Sequence, residues 1–418
     1  MLDIKFIREH TEEVKQNCIN RKVKVNIDRL LEIDKERRDF TQQIDDLRAE
    51  RNRKSKGKPT EEDILHMREV GDKIKQLEDR LIEIDDEYKT LLLQIPNMTH
   101  VESPIGGEED FMVRETYGKV PQFDFESKDH EQLMVERDLI DFERGAKVAG
   151  SKFYFFKNDM VRLNMALINY GLDIATKHGF TMLETPDVAK QDVLIGAGFN
   201  PRGGEKQIYN IEDENLSLVG TAEITVLGYH ADEILDLRDG PKKYVAVSHC
   251  FRTEAGAYGR TSKGLYRVHQ FTKLEMFVFC KPEESEKYHQ EILDIEKEIC
   301  DGLELPYRVI DIASGDLGGP AYRKYDLEAW MVMNGSESSP QGGYGEITST
   351  SNCTDYQARR MNIRYKTEDG KTEYVHTLNG TAVVLSRFPI AIVENYQQKD
   401  GSIRVPEVLR KWVGKDVI

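Results

Sequence analysis

The sequence predicts an α+β protein with an antiparallel α-helical coiled-coil arm at the N-terminus, followed by a domain built on an antiparallel β-sheet flanked by helices. Three observations favour this fold class. Apolar residues recur at heptad spacing through most of the first hundred residues. Beyond about residue 130, strand-like runs are interrupted by helix-like runs without regular alternation. The 418 residues are enough for two or three domains.

The arm is predicted from two apolar series that a turn separates. The first series starts at Leu30, and the second comprises Met67, Val70, Ile74, Leu77, Leu81, Ile84, Tyr88, Leu91 and Ile95. Gly57 and Pro59 between them end one helix and reverse the chain, and Thr60 with Asp63 is a typical helix N-cap pair. We predict an N-terminal domain over residues 1–103, with the hairpin over about 27–95, and a second domain over 104–418.

Basic residues are concentrated around the turn of the arm, within eleven positions that contain Glu50 as the only acid. A solvated turn that keeps the hairpin soluble would have this composition. A contact with a nucleic-acid backbone would have it too. The candidate contact residues are Arg48, Arg51, Arg53, Lys54, Lys56 and Lys58.

Composition excludes several classes of protein. The chain has no apolar run of about 18 residues, so we expect no membrane span, and its first residues lack a secretory signal, so we expect a cytoplasmic protein. The net charge of −16 argues against a surface coated with nucleic acid, although a local basic footprint is compatible with it. The five cysteines show neither CxxC pairs nor zinc-ligand spacing, so we expect reduced thiols and no zinc.

In the second domain the pattern predicts helices over residues 160–177, 283–302 and 381–396, and strands over 180–184, 242–248 and 273–279. The glycine-rich pieces fit neither a Walker loop nor a dinucleotide fingerprint. If the protein uses ATP, another fold must bind it.

The most informative segment runs from Phe251-Arg252-Thr253-Glu254 through a long Gly- and Arg-containing loop to a second strand that includes Phe271 and Glu275. Residues two apart on a strand share a face, so we expect Arg252 and Glu254 to point to the same side. An arginine is a bidentate donor for phosphate or carboxylate, and a glutamate accepts from an amino group. Taken alone, such a pair would be interpreted as a surface ion pair.

This segment resembles motif 2 of the class II aminoacyl-tRNA synthetases, and specifically of the seryl-tRNA synthetase family. Residues 179–186 are similar to motif 1, and residues 378–397 are similar to motif 3. Thr221-Ala222-Glu223 matches the family's serine-binding segment, and residues 346–360 are close to its metal and ATP strand. The basic hairpin resembles the family's tRNA-binding arm, so the resemblance covers nearly the whole chain.

The resemblance implies a class II catalytic domain that activates L-serine with ATP, forms seryl-adenylate and transfers serine to tRNA(Ser). Whether selenocysteine tRNA, tRNA(Sec), is also charged stays open. The resemblance further implies a homodimer with motif 1 at the interface, and neither DNA nor a membrane as a partner.

The family's site roles carry over by position. The catalytic residues would be Arg252 and Arg387. The serine-binding residues would be Thr221, Ala222, Glu223, Arg252, Glu275, Asn379 and Thr381. The ATP-binding residues would be Arg252, Thr253, Glu254, Val268, Phe271, Glu346, Ile347, Thr348, Ser349 and Arg387. Mg²⁺ would be held by Glu346 and Ser349.

Two other functions are compatible with parts of the sequence. A class II paralogue would adenylate serine for an acceptor other than tRNA, but such paralogues generally lack a basic hairpin. A nucleic-acid-binding module would have lost its catalytic residues, whereas Arg252, Glu254 and Arg387 are all present. The residues Phe388-Pro389-Ile390 depart from the family pattern without removing a candidate ligand. We assign structural roles to His249 and His269, because activating an ionised carboxylate needs no general base.

Overall fold

The structure is a computed structural model that describes residues 1–54, 60–199, 207–254, 263–336, 339 and 341–418. It divides into two compact units, Met1–Met98 and Thr99–Ile418. The helices are α1 (Ile4–Glu9), α2 (Thr11–Asn20), α3 (Ile27–Lys54), α4 (Glu61–Gln94), α5 (His130–Glu136), α6 (Phe142–Ala149), α7 (Asp159–Lys177), α8 (Gln191–Ala197), α9 (Ala222–Tyr229), α10 (Ser285–Gly302), α11 (Tyr356–Met361), α12 (Phe388–Asn395) and α13 (Arg410–Val413). The strands are β1 (Met112–Tyr117), β2 (Ile140–Asp141), β3 (Phe155–Phe156), β4 (Thr181–Glu184), β5 (Val188–Lys190), β6 (Leu216–Leu218), β7 (Ile234–Leu235), β8 (Lys242–Phe251), β9 (Gln270–Cys280), β10 (Tyr307–Asp311), β11 (Arg323–Met331), β12 (Gly343–Asn352), β13 (Arg364–Lys366), β14 (Thr372–Tyr374) and β15 (His376–Val384).

The first unit contains the predicted hairpin, in which α3 and α4 pair over 28 and 34 residues. Their seam is apolar, with Ile44, Val70 and Ile74 buried between the helices. The start of α4 is fixed by the predicted cap, since the Thr60 hydroxyl accepts from the Asp63 N–H and the Asp63 carboxylate accepts from the Thr60 N–H. The helical arm is therefore confirmed.

The second unit is organised by an eight-stranded sheet in the order β1-β10-β11-β12-β15-β9-β8-β4. Neighbouring strands are antiparallel except β4 and β8, which are parallel. Helices α7 and α10 contribute apolar faces to the main core, which also receives side chains from β9 and α12. The predicted antiparallel sheet with flanking helices is confirmed.

One predicted element was wrong. Residues 381–396 were expected to be helical, but the chain continues as strand β15 to Val384 and becomes helical only at Phe388. Strand β15 lies between β12 and β9, and all its residues after His376 are buried. A strand buried on both faces is apolar at most positions, so it lacks the alternation that would distinguish it from a buried helix.

Two β-bulges reorganise the central strands. Thr348 pairs with Leu327 and Glu346 pairs with Glu328, so Ile347 is an extra residue in β12. Similarly, Ala382 is an extra residue in β15 between the partners of Leu274 and Glu275 in β9. An extra residue shifts the alternation of side chains between the two faces. In β12 it brings Glu346 and Ser349, three positions apart, to the same face of the sheet.

The five cysteines are free thiols, and each of them is buried. Cys18 lies in the first unit, and the others lie in the second. Among the described residues, no helix combines the length and the apolar character that crossing a membrane requires.

Candidate active site

Arg252 is the first residue beyond β8, and its backbone is held by His269, the residue before β9. The Arg252 N–H donates to the His269 carbonyl at 3.0 Å, and the Arg252 carbonyl lies 2.9 Å from His269 Nδ1. The guanidinium donates to the Gly220 carbonyl at 3.4 Å and lies 5.2 Å from the centroid of the Phe271 ring. His269 thus contacts the Arg252 backbone through both its carbonyl and its ring, and its structural role stays a prediction.

Arg252 and Glu254 do not share a strand face as predicted, because β8 ends at Phe251 and Glu254 has a left-handed backbone with φ of 50°. Both side chains nevertheless line the same cleft. The Glu254 carboxylate lies 3.5 Å from Nη1 of Arg267, so these two cleft residues form an ion pair.

The cleft has a volume of about 160 Å³. All of the candidate ATP-binding residues except Thr253 line it, and so does Thr381 of the candidate serine set. The Thr253 N–H instead donates to the Gln207 carbonyl at 3.1 Å, so this residue fixes the backbone beside the cleft. The structure thus collects residues from β9, β12, β15, the segment after β8 and the start of α12 in one place.

Five cleft residues were missed by sequence reasoning: Tyr266, Arg267, Lys273, Val384 and Ser386. The guanidinium carbon of Arg387 lies 3.5 Å from the centroid of the Tyr266 ring, and Nη1 of Arg387 donates to the Glu346 carbonyl at 3.1 Å. Burial raises the pKa of the Tyr266 phenol, which therefore stays neutral at physiological pH. Tyr266 holds Arg387 at one end of the cleft.

Oxygen donors suited to a hard cation line the β12 wall of the cleft. Glu346 is exposed to solvent in the cleft. Desolvation by the surrounding protein disfavours its charge, but Arg387, Lys324 and Arg252 outweigh this effect and hold the pKa of the carboxyl below its ordinary value. Glu346 is thus an anion that faces the cleft beside Ser349. Carboxylate and hydroxyl oxygens are the ligands that Mg²⁺ prefers in proteins, so the two residues fit this ion.

Asp326 lies behind Ser349 on β11 and was not predicted. It pairs with Ser349 across the strands, forms a hydrogen bond with it, and is 5% exposed. Burial, only partly offset by Lys324, raises the pKa of Asp326 to about 7. Among the described residues its Oδ1 has no hydrogen-bond partner. Glu346 and Asp326 thus place two carboxylates near Ser349. In the described parts of the chain, no cluster of three or more His, Cys, Asp or Glu residues is suited to a metal.

Glu223 lies at the start of α9, where Thr221 caps the helix by accepting from the Glu223 N–H at 3.2 Å. Its Oε1 accepts from Gln357 Nε2 at 2.6 Å and from Asn379 Nδ2 at 3.1 Å. Burial first, and the nearby carboxylate of Glu275 second, raise the pKa of Glu223 to about 7. Gln357 is a further residue that the sequence reasoning missed. Ala222 is buried beneath this cluster.

Glu275 faces Thr381 directly across β9 and β15, with the Thr381 hydroxyl 3.5 Å from Glu275 Oε2. Lys273 Nζ lies 2.5 Å from the same carboxylate oxygen, and both side chains of this ion pair are at least 90% buried. Phe271, Lys273 and Glu275 occupy alternate positions of β9 and so share one face. That alternation was the signal that could have identified Lys273.

The candidate nucleic-acid contacts lie in the first unit. Arg51, Arg53 and Lys54 are exposed in the last turn of α3. Arg48 is half-exposed and forms an ion pair with Glu78 at 2.6 Å. Lys56 and Lys58 lie outside the described residues.

Comparisons with known proteins agree with these two units. The model of the seryl-tRNA synthetase N-terminal domain matches residues 1–99, and that of the class II tRNA synthetase core domain (G, H, P, S and T) matches residues 209–396. The serine–tRNA ligase of Treponema denticola is 52% identical over 427 residues, which cover 100% of each chain. That of Dictyoglomus turgidum is 48% identical and covers 99% of this chain and 98% of its own.

Solved structures are similar over the same length. The seryl-tRNA synthetase of Pyrococcus horikoshii, complexed with ATP, has a TM-score of 0.91 and 40% identity, covering 100% of this chain and 99% of its own. The cytoplasmic enzyme of Naegleria fowleri, in complex with AMP, has a TM-score of 0.87 and 30% identity, covering 100% and 98%. The chain therefore belongs to the seryl-tRNA synthetase family, with a catalytic core of class II.

Proposed function

We propose that the protein activates L-serine with ATP to form seryl-adenylate and diphosphate, and then transfers the seryl group to tRNA(Ser). The observation that carries this proposal is the position of Arg252. It lines the cleft that contains the ATP candidates, and its Nη2 donates at 3.4 Å to the carbonyl of Gly220, the residue before Thr221 of the candidate serine set. One guanidinium can therefore contact both the amino-acid carboxylate and the α-phosphate. The similar structures in complex with ATP and AMP support the nucleotide assignment.

In the activation step a serine carboxylate oxygen attacks the α-phosphorus, a new P–O bond forms, and the bond to diphosphate breaks. The carboxylate is already ionised at neutral pH, so no base is needed. Arg252 aligns the two reactants and stabilises the negative charge that develops at phosphorus. Phe271 and Glu254 would bind the adenine ring and its amino group, and Arg387 would contact the outer phosphates.

Glu346 and Ser349 would hold Mg²⁺ together with phosphate oxygens of ATP. When bound, the ion neutralises charge on the phosphates and on the diphosphate that leaves. The Asp326 carboxylate accepts a hydrogen bond from the Ser349 hydroxyl and so orients it.

Serine would be selected by polar groups that need its hydroxyl. Thr221 and Glu223 bind the ammonium group, while Glu275, Thr381 and Asn379 surround the hydroxyl. A pocket of this kind rejects alanine by on the order of 10⁴, because its polar groups would be left unpaired. Threonine is excluded by crowding, where one methyl group contributes only about 1–3 kcal/mol.

The basic end of the arm would contact the tRNA backbone, since Arg51, Arg53 and Lys54 are exposed there. We also propose a homodimer. Large apolar side chains are exposed on β4, which lies in the motif 1 segment, and on α7, the helix before it, with Met182 at 59% and Met165 at 62% exposure. A second copy of the chain would cover this surface.

An ATP–diphosphate exchange assay across the amino acids tests the activation step. We expect exchange with serine, and we expect Arg252→Lys to lower its rate by on the order of 10²–10³, because lysine cannot form the bidentate contact. Exchange with another amino acid alone would contradict the proposal.

Charging of tRNA(Ser) then tests the acceptor. Serine-dependent exchange without charging of tRNA(Ser) would favour the paralogue that uses another acceptor. Offering tRNA(Sec) in the same assay decides whether it is a second acceptor.

A further inference from the structure

We infer that His130, together with Glu394, is a positioning residue for the nucleotide cleft: it fixes the backbone that leads into β9 and thereby sets Tyr266 and Arg267. This inference rests on the proposed ATP-dependent activation. His130 is the first residue of α5 and belongs to none of the sequence motifs that marked the site.

The imidazole of His130 is completely buried and makes two directed hydrogen bonds. The Leu265 N–H lies 3.1 Å from Nε2, and Nδ1 lies 2.8 Å from Glu394 Oε1. A backbone N–H can only donate, so Nε2 must be the unprotonated nitrogen and Nδ1 must carry the proton. One ring nitrogen thus holds the backbone of Leu265, and the other is held by the carboxylate.

Glu394 lies on α12 and is also completely buried. Its Oε1 accepts from both the backbone N–H and Nδ1 of His130, each at 2.8 Å, and its Oε2 accepts from the Met333 N–H at 3.0 Å. Three donors satisfy this carboxylate and leave it no rotational freedom. The carboxylate therefore fixes the imidazole in one tautomer and one orientation.

The segment next to Leu265 is shaped for this contact. Gly264 has φ of +56°, and a Cβ at this position would lie 2.2 Å from His130 Nε2. Only glycine allows the backbone to approach the ring so closely. Lys263 forms an ion pair with Asp129, the residue before His130, so Asp129 and His130 together hold the backbone of residues 263–265.

The chain continues from Leu265 directly into the nucleotide cleft. Tyr266 packs against the Arg387 guanidinium, and Arg267 reaches Glu254. Neither His130 nor Glu394 lines the cleft. The contact that links the His130 ring to the chain entering the cleft is its hydrogen bond with the Leu265 N–H. The hydrogen bonds of Glu223 in the serine cluster go to other elements, to Gln357 and Asn379.

Two amide substitutions separate the two hydrogen bonds. In His130→Asn the side-chain amide can take the place of Nδ1 and donate to Glu394, but nothing reaches Leu265. In His130→Gln the amide oxygen can take the place of Nε2 and accept from Leu265. We expect His130→Asn to raise the KM for ATP in the exchange reaction about tenfold with an unchanged KM for serine, since a buried N–H loses its partner. We expect His130→Gln to restore the KM for ATP to within about threefold of the parent value.

The matched control is His178→Asn, which removes a His–Glu contact of 2.7 Å at the end of α7. We expect it to leave both KM values unchanged. Thermal unfolding of every variant separates folding from positioning. Equal changes in both KM values, or a His130→Gln enzyme no better than His130→Asn, would overturn the inference.

A second variant keeps the inference testable if His130→Asn does not fold. Tyr266→Leu removes the ring under Arg387, and we expect it to raise the KM for ATP alone; an unchanged KM would overturn the inference. Calorimetric titration of ATP onto each variant needs no amino acid. If serine activation failed but this inference held, ATP would still bind more weakly to His130→Asn than to the parent and to His130→Gln. The titration therefore distinguishes failure of this inference from failure of the proposed serine activation.

Discussion

Glu223 has surroundings that oppose its negative charge. Its pKa is raised to about 7 by burial and by Glu275, so a substantial share of the side chain is neutral at pH 6. Only the ionised form attracts the ammonium group of serine. We therefore expect the KM for serine to fall as pH rises from 6 to 8 and to level off above that, measured by diphosphate exchange.

Glu223→Gln provides the control, because it keeps the shape of the side chain and cannot titrate. Its KM for serine should be higher and should not vary with pH over this interval. A KM for serine that is flat with pH in the parent enzyme would contradict the role assigned to Glu223.

Lys273 and Glu275 form a buried ion pair next to the candidate serine hydroxyl. Lys273→Met leaves the carboxylate unpaired, which costs about 3–5 kcal/mol of stability for a pair of this kind. We expect a large loss of stability by denaturant unfolding and a KM for serine raised more than tenfold. The double variant Lys273→Met, Glu275→Gln should regain stability but not serine binding. If it regained serine binding, the pair would have only a structural role.

At the residue scale, the sequence was informative where a residue belongs to a motif. Arg252 and Glu275 were predicted in this way, and both lie in or beside the cleft. Tyr266 and Gln357 were missed because their roles depend on partners distant in sequence, whereas Lys273 was missed although it alternates with Phe271 and Glu275 along β9. Gln357, for example, reaches Glu223 from 134 positions away. Contacts of this kind arise only from the tertiary fold.

At the scale of elements, periodicity identified the arm and most of the second unit, because amphipathic helices and half-buried strands have distinct periods. It failed at residues 381–396, where complete burial removes the distinction. It also could not predict the bulge at Ile347, which inserts a single residue. Without this bulge Glu346 and Ser349 would face opposite sides of the sheet.

The exposed end of α3 allows a test of the tRNA contact. Replacing Arg51, Arg53 and Lys54 by Gln should weaken tRNA(Ser) binding and reduce its salt dependence, by a slope of about 0.7–0.9 per lost phosphate contact. Filter binding at several salt concentrations measures both quantities. Diphosphate exchange should not change.

The control changes an equal number of exposed lysines in the second unit, Lys366, Lys371 and Lys399. We expect unchanged tRNA affinity from it. If both triple variants bound tRNA like the parent, the basic end of the arm would only keep the hairpin soluble.

At the scale of the whole molecule, the exposed apolar surface on α7 and β4 predicts self-association. Met165→Lys places a charge where the second copy would pack, and we expect a monomer by sedimentation velocity at micromolar concentration. Val101→Lys, at a side chain that is 90% exposed and lies outside these two elements, serves as the surface control. A Met165→Lys protein that sediments like the parent would contradict the proposed interface.

The burial of all five thiols also has a practical consequence. In a protein whose thiols are inaccessible, alkylation by a maleimide reports opening of the structure and not surface reactivity. Cys353 lies 3.7 Å from Asn379 in the serine cluster, whereas Cys18 lies in the first unit. Their labelling rates, followed by mass spectrometry, would therefore time the opening of the substrate pocket and of the N-terminal unit separately in one sample.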